Sequence, residues 1–192
     1  MTGVQTCALP ISKPDHEPLD AHPSVSGEFL TRVGCGDISA QGAIDHFEPN
    51  AVVFKDGHRE EIDAIVWATG YKVSFPFFDD PNLAPTENRF PLFKRMVKPG
   101  YENLFFLALA QPLPTLVNFA EQQSKLLGAL IAGEYALPSA DEMHRVTAAD
   151  EKAHMGHFYQ AARHTRQVDF NTYVRDLMQE IEKGRKRARI TA

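Results

Sequence analysis

The chain has 192 residues, of which 43% are hydrophobic and 23% charged, a composition typical of a folded globular protein. Its formal net charge of -5 argues against the broad basic surface that nucleic-acid-binding proteins use. No apolar run approaches the ~18 residues of a membrane-spanning helix, so no membrane span is expected. Two cysteines, Cys7 and Cys35, have neither metal-binding nor redox spacing and fit a reducing compartment such as the cytoplasm.

The first twelve residues differ in character from the rest of the chain. Residues 1–11 lack the basic start and the apolar segment of a signal peptide, and they show neither helical nor strand periodicity. They resemble the translation of a sequencing-adapter oligonucleotide joined to an open reading frame. We therefore expect residues 1–12 to be an artefact and the protein's own N-terminal part to be lost, which leaves Cys35 as the only native cysteine.

Short elements are predicted before residue 63. The apolar spacing of residues 29–33 predicts a helix that either Ser24 or Ser26 caps and that the glycines of residues 34–36 end. Asp56 and Gly57 lie between two later apolar runs, and Asp-Gly in this position is a strong hairpin signal because glycine accepts positive φ. Three strands are predicted, at residues 44–47, at 51–54 and from 60 onward.

The chain is organised around residues 63–71 (Asp-Ala-Ile-Val-Trp-Ala-Thr-Gly-Tyr). Apolar residues 65–68 do not alternate with polar ones, so they predict a strand buried on both faces of a sheet. In α/β proteins ligands usually bind at the carboxyl end of such strands, where Thr69 supplies a hydroxyl and Gly70 allows a close backbone approach. An ordinary core strand that ends in a turn is the alternative interpretation.

Residues 71–100 are rich in proline and phenylalanine, which predicts a long irregular loop rather than regular elements. Aromatic side chains in this number are costly to leave in water. We therefore expect the loop to pack over a cleft, with short strands near residues 92–97.

Residues 103–110 form a second continuous apolar run of strand length. A helix follows at once, with Thr115 as its cap, apolar residues at three- and four-residue intervals, and Gly133 at its end. A strand that runs into a helix N-terminus leaves free backbone N–H groups at the positive end of the helix dipole. Such a junction can hold an electron-rich ligand atom.

The remainder of the chain is predicted to be helical. Ser139 caps one segment, a second spans residues 148–163, and a final helix follows residue 172. His164 and Asp169 lie in the break before that helix, and we interpret them as turn and capping residues rather than as an acid–base pair. The basic run at residues 183–189 is predicted to be a frayed, solvated tail.

Three separated strings resemble the flavin-containing monooxygenases. They are residues 63–71 with Phe-Pro-Phe at 75–77, residues 103–113 with Ala-Glu-Gln-Gln-Ser at 120–124, and His-Thr-x-Gln-Val-Asp-Phe-x-x-Tyr at 164–173. The resemblance implies an α/β fold, namely the C-terminal part of a flavoprotein with two Rossmann-like domains, for FAD and NAD(P), followed by C-terminal helices. The resemblance also implies how the chain is divided. Residues 13–62 are expected to be the end of the NADP-binding domain, 63–137 the C-terminal segment of the FAD-binding domain, and 138–192 a helical extension.

The same resemblance implies a function for the full-length parent. Such an enzyme reduces FAD with NADPH, captures molecular oxygen as a C4a-hydroperoxyflavin and oxygenates a small-molecule substrate at a soft nitrogen or sulfur atom. The alternative reaction is the Baeyer–Villiger oxidation of ketones. Three alternative classes of protein also stay open: a disulfide reductase, a non-catalytic NAD(P)- or FAD-binding module, and an interaction module. No nucleic-acid partner is expected, and the oligomeric state is not readable from the sequence.

By analogy with the family, eight residues are expected to bind the cofactors, and no catalytic acid, base or metal ligand is assigned. Pro114 stands where many members of the family have glycine, which removes an N–H donor from the contact. The chain by itself is expected neither to bind FAD tightly nor to turn over. The expected cofactor-binding residues are Ala68, Thr69, Gly70, Tyr71, Gln111, Pro112, Leu113 and Thr115.

Overall fold

The computed structural model describes residues 26–113, 115–155 and 166–191. Among these residues the chain forms two compact units, the first ending at Thr69 and the second beginning at Gly70. The first unit holds a three-stranded antiparallel sheet, and the second holds a two-stranded parallel sheet with three helices. The mixture of helices and strands agrees with an α/β fold class. None of the helices in these ranges is long and apolar enough to cross a membrane.

Helix α1, Phe29–Cys35, opens the first unit and confirms the prediction for this segment. Ser26 Oγ accepts a hydrogen bond from the N–H of Phe29 at 3.1 Å, which satisfies one of the free donors at the start of the helix. Gly36 ends the helix in the left-handed conformation, with φ of 83°.

The sheet of the first unit also follows the prediction. Its strands are β1 (Ile44–Glu48), β2 (Ala51–Phe54) and β3 (Arg59–Glu61). They run antiparallel in that order, and β2 provides the buried apolar side chains. The N–H of His58 donates to Oδ1 of Asp56 at 2.9 Å in the turn between β2 and β3, and Gly57 supplies the positive φ of 85°.

The buried strand predicted at residues 63–71 is wrong for this structure. The segment has no regular secondary structure, and Val66 and Trp67 are 90% and 66% exposed. A strand buried on both faces needs neighbouring strands to satisfy its backbone N–H and C=O groups. The described residues provide no such neighbour, and Trp67 instead packs edge-on against Phe47, with ring centroids 5.5 Å apart.

The strand predicted at residues 103–110 is also wrong, because the backbone turns within the apolar run. Only Phe105 forms an isolated bridge, to Val97, which itself bridges Phe93 and thus supports the short pairing expected near residues 92–97. Ala108 has φ of 60°, a left-handed conformation that a continuing strand does not tolerate. The strand of this region, β4, is Gln111–Leu113, where the apolar run has already ended.

The first helix of the second unit matches the prediction at both ends, whereas the next one is not divided as predicted. Helix α2, Leu116–Ile131, begins after Thr115 as predicted, and Gly133 follows it with φ of 72°. Helix α3, Ala140–Met155, is continuous where two segments were predicted. Ser139 Oγ accepts from the N–H of Glu142 at 3.3 Å and caps α3.

The C-terminal part departs from the prediction at both ends of its final helix. A strand, β5 (Gln167–Asp169), precedes helix α4 (Phe170–Thr191), where a turn was predicted. Asp169 Oδ1 accepts from the N–H of Thr172 at 2.8 Å, which confirms a capping role for Asp169; His164 lies outside the described residues. The basic run belongs to α4 and is not a frayed tail, because Arg187 binds both Glu180 and the carbonyl of Ala136.

Two apolar clusters hold the second unit together. The larger one joins α2, α4 and β5 to residues 93–97, and its fully buried members are Phe93, Met96, Val97, Phe119, Leu126, Val168 and Leu177. The smaller one joins the irregular loop of residues 71–100 to the apolar run that follows it: the rings of Phe75, Phe78 and Phe90 each contact the ring of Phe106, and Leu83 and Leu92 are buried in the same cluster. The loop therefore builds a core of its own, which explains why it is ordered with few strands or helices.

Candidate functional site

The junction between β4 and α2 places a short strand directly before a helix N-terminus. Thr115 Oγ1 accepts from the N–H of Asn118 at 3.3 Å and the Thr115 carbonyl accepts from the N–H of Phe119 at 3.3 Å. The side chains of Leu116 and Val117 are exposed in the first turn. First-turn N–H groups have no partner within a helix, so this end carries both unpaired donors and the positive end of the helix dipole.

Strand β4 is paired in parallel with β5, which brings a distant part of the chain to the junction. The N–H of Gln111 donates to the carbonyl of Arg166 at 2.8 Å, and Gln111 lies opposite Gln167 in the ladder. Pro112 is buried and lies opposite Val168, which belongs to the core. Val168 thereby anchors the ladder to the core through its own side chain.

Gln167 is a residue that sequence reasoning missed. It is only 2% exposed, and neither Nε2 nor Oε1 of its side chain has a hydrogen-bond partner. Leaving a buried polar group unpaired costs about 1–3 kcal/mol, so such groups are rare and each needs a physical explanation. The only signal in the sequence was its position in the family-like string at residues 164–173, since a buried amide produces no periodicity.

A buried hydrogen-bond network fixes the backbone on the approach to β4. Gln123, fully buried, accepts at Oε1 from the N–H of Ala108 at 2.8 Å and donates through Nε2 to the carbonyl of Arg95 at 3.2 Å. The Gln123 amide also donates to the Tyr173 hydroxyl at 3.2 Å, and that hydroxyl donates to the carbonyl of Lys94 at 2.8 Å. Burial raises the pKa of Tyr173, which keeps its hydroxyl protonated and able to donate.

This network stabilises three residues in left-handed backbone conformations. Lys94, Arg95 and Ala108 have φ of 47°, 57° and 60°, and each carries a backbone group bound by Gln123 or Tyr173. Non-glycine residues at positive φ cost about 1 kcal/mol or more unless their surroundings hold them. Gln123 and Tyr173 thus determine where the chain enters β4.

The eight residues singled out from the sequence fall into two groups. Gln111, Pro112, Leu113 and Thr115 come together at the β4–α2 junction, while Pro114 lies outside the described residues. The other group, Ala68, Thr69, Gly70 and Tyr71, lies on the exposed segment that passes from the first unit to the second, outside any strand.

A charged cleft of about 300 Å³ lies between α3 and α4, beside Lys94. Four cations and four carboxylates line it, and three of the cations are in ion pairs: Lys94 Nζ lies 3.0 Å from Asp150 Oδ2, Arg145 pairs with Glu142, and Arg187 pairs with Glu180. Among the described residues no group of His, Cys, Asp and Glu has the arrangement of a metal site. The cleft therefore presents balanced charge rather than a concentrated anion or cation site.

Residues 11–188 match the FMO-like family, described as flavin-binding monooxygenase-like. The chain belongs to this family. Membership in the flavin-binding monooxygenase-like family confirms the resemblance read from the three strings, and it makes the β4–α2 junction part of a monooxygenase-family scaffold.

The relatives are about three to five times longer than the region that this chain matches, which covers 21–31% of their length. The chain is 32% identical over 161 residues to flavin-containing monooxygenase 5 of Oryctolagus cuniculus, covering 82% of this chain and 30% of the relative. It is 44% identical over 116 residues to a 4-hydroxybenzoate brominase (decarboxylating) of Pseudoalteromonas luteoviolacea, covering 58% and 21%. The solved structure of S-allyl-L-cysteine S-oxygenase from Allium sativum has a TM-score of 0.55 and 29% identity, covering 69% and 31%. The chain thus spans about 30% of the length of the curated flavin-containing monooxygenase that it matches.

Proposed function

We propose that this chain is the C-terminal part of an FAD- and NADPH-dependent monooxygenase, and that its β4–α2 junction meets the flavin. The observation that carries the proposal is the junction itself, where a three-residue strand leads into a capped helix N-terminus. The pyrimidine end of a flavin gains negative charge on reduction, so first-turn N–H groups at the positive end of a helix dipole favour the reduced ring.

The residues present at the junction fit a flavin. Gln111, Pro112, Leu113 and Thr115 are the proposed contacts, and the buried amide of Gln167 adds unsatisfied hydrogen-bonding groups beside them. The segment that contains Ala68, Thr69, Gly70 and Tyr71 is proposed as a second cofactor-contacting stretch; its glycine, with φ of 86°, is suited to close approach.

When bound, the flavin supplies the two-electron chemistry that accepts reducing equivalents from NADPH and activates molecular oxygen. The residues of this chain orient the ring and exclude water from it, and none is assigned as an acid or base. We propose a small-molecule substrate oxygenated at a soft nitrogen or sulfur atom, in line with the sulfur chemistry in the name of the garlic relative. Baeyer–Villiger oxidation of ketones is the alternative, and the names of the relatives above do not mention it.

The proposal is tested on the full-length gene product that contains this sequence. Purified from cells, it should be yellow, contain close to one FAD per chain and consume oxygen with NADPH in the presence of an organic sulfide. Thr115→Val, which removes the cap at the junction, should lower the flavin content, whereas Ser139→Ala at the cap of α3 should not. A colourless full-length protein without NADPH-dependent oxygen uptake contradicts the proposal.

A further inference from the structure

A small recess lies where α3 and α4 meet the segment at residues 92–95. Its volume of about 10 Å³ is close to the space that one water molecule needs. Its lining includes Arg95 of the segment, Thr147 and Asp150 of α3, and Tyr173 and Asp176 of α4. A group bound in the recess would therefore contact three separate parts of the chain.

Thr147 has a hydroxyl group that the fold leaves unpaired. The residue is only 5% exposed, and Oγ1 has no hydrogen-bond partner among the described residues. A threonine within a helix can donate to the carbonyl four residues earlier, but here the carbonyl of Met143 does not accept such a bond. An unpaired hydroxyl is costly to bury, so a partner inside the recess would stabilise the fold.

Arg95 brings further hydrogen-bond donors to the recess. Its carbonyl accepts from Gln123, but its guanidinium has neither a hydrogen bond nor an ion pair within the described ranges. Burial lowers the pKa of Arg95, and the carboxylates of Asp150 and Glu151 partly offset this effect, which places the guanidinium near α3. Because a guanidinium carries five N–H donors and no acceptor, it requires an acceptor in the recess.

We propose that the recess binds one water molecule, which joins the hydroxyl of Thr147 to the guanidinium of Arg95 and the carboxylate of Asp176. Water both donates and accepts hydrogen bonds, so it accepts from the guanidinium, donates to the carboxylate and pairs with the hydroxyl at the same time. This water is a structural ligand of the second unit, and the inference does not rest on the proposed function.

The charges around the recess favour a neutral occupant. Lys94 Nζ is paired with Asp150 Oδ2 at 3.0 Å, which leaves Arg95 facing the carboxylates of Glu151 and Asp176. A small anion would be repelled by the two carboxylates, and a cation would be repelled by the guanidinium. A water molecule meets neither penalty.

The water extends the hydrogen-bond network that fixes the entry to β4. The carbonyl of Arg95 accepts from Nε2 of Gln123, and Oε1 of the same amide accepts from the N–H of Ala108. A water bound to the guanidinium holds the side chain of Arg95 in place as well as its backbone. Thr147 thereby connects α3 to the residues that determine where β4 begins.

The sign of the stability change in Thr147→Val tests the proposal. Valine has the shape of threonine without the hydroxyl, so in a dry recess the substitution removes an unpaired group and stabilises the chain. Where a water is bound, valine removes one of its partners and destabilises the chain. We expect the equilibrium constant for urea unfolding of the 192-residue chain to rise about fivefold. Thr172→Val, at a half-exposed position of α4, is the matched control and should change it less than about twofold.

A crystal structure of the unmodified chain tests the proposal without any substitution. We expect density for one water within about 3.2 Å of both Thr147 Oγ1 and a guanidinium nitrogen of Arg95. An empty recess overturns the inference, as does a Thr147→Val variant that is more stable than the original chain. An anomalous bromide signal in the recess after soaking in sodium bromide also overturns it, because the site would then bind a small anion.

Discussion

Gly184 of α4 lies so close to the ring of Tyr135 that a Cβ atom at position 184 would overlap the ring carbons. The carbonyl of Gly184 also accepts a hydrogen bond from the N–H of Ala136 at 3.1 Å. Tyr135 is buried, and its hydroxyl donates to Oε1 of Glu180 at 3.1 Å. Glycine at position 184 is therefore what allows α4 to approach the segment that follows α2.

Gly184→Ala should destabilise the chain. Alanine gains about 1 kcal/mol of helix propensity, but overpacking against a buried ring costs about 1–3 kcal/mol, so we expect a net loss near 1 kcal/mol. Gly128→Ala in α2 is the matched control, since no atom lies within 4 Å of its Cβ position, and it should stabilise the chain. Urea unfolding measures both free energies; a stabilising Gly184→Ala would show that the Tyr135 ring yields freely.

Arg187→Met tests the ion pair that joins the end of α4 to its own preceding turns. Glu180 is buried and binds both Tyr135 and Arg187, so removing the guanidinium leaves a buried carboxylate without its charge partner. Because Arg187 is itself about one-third exposed, we expect a loss of about 2 kcal/mol rather than the full cost of breaking a buried pair. Arg145→Met, in an exposed pair with Glu142, should cost less than about 0.5 kcal/mol in the same unfolding assay.

Ala108→Gly should stabilise the chain. Ala108 has φ of 60°, held by the bond from its N–H to Gln123, and glycine adopts this conformation without the Cβ penalty. Relief of about 1 kcal/mol should exceed the entropy that glycine loses on folding. Ala132→Gly, at φ of -75°, offers no such relief and should lower the unfolding free energy. Equal losses for both variants in thermal unfolding would contradict the assignment of strain to Ala108.

Tyr101→Phe should raise the pKa of Asp80. The hydrogen bond from the Tyr101 hydroxyl is the main cause that holds the pKa of Asp80 below its usual range. A lowered native pKa adds stability that is present above the unfolded pKa and is lost as the pH falls through the native value. The stability difference between the variant and the original chain should therefore shrink on acidification. NMR titration of the Asp80 carboxyl measures the shift directly, with Tyr71→Phe, at an exposed tyrosine, as the control.

The isolated chain should not retain FAD after gel filtration. The sequence contains no Gly-x-Gly-x-x-Gly phosphate-binding motif, and the chain spans about 30% of the length of its rabbit relative. Weak contact with the ring alone, of the kind proposed for the β4–α2 junction, does not hold a dinucleotide through a column. Absorbance at the flavin band in the protein peak, at one FAD per chain, would contradict this expectation.

Helix starts and turns in this chain were predictable because the residues that form them are adjacent in sequence. Thr115 caps α2 and Ser139 caps α3 through hydrogen bonds to N–H groups three residues away, and Gly57 provides the positive φ of a hairpin turn. The cofactor contacts assigned to these segments were drawn from family resemblance rather than from such local physics, and they stay predictions.

The errors arose where structure depends on distant partners. The apolar run at residues 63–71 signals burial in a sheet, but a strand forms only where other strands pair with it. At residues 103–110 the chain bends because Gln123, fifteen positions further on, captures the N–H of Ala108. Gln167 was missed for the same reason, since its position beside Gln111 is set by a parallel pairing across more than fifty residues.

The exposed segment at residues 63–71 has an optical consequence. Trp67 is the only tryptophan in the chain, and two-thirds of its side chain is open to solvent. Tryptophan emission from this protein therefore reports on that segment and not on the core of the second unit. We expect red-shifted tryptophan emission that aqueous iodide quenches. A blue shift of this emission would mark any event that covers residues 63–71.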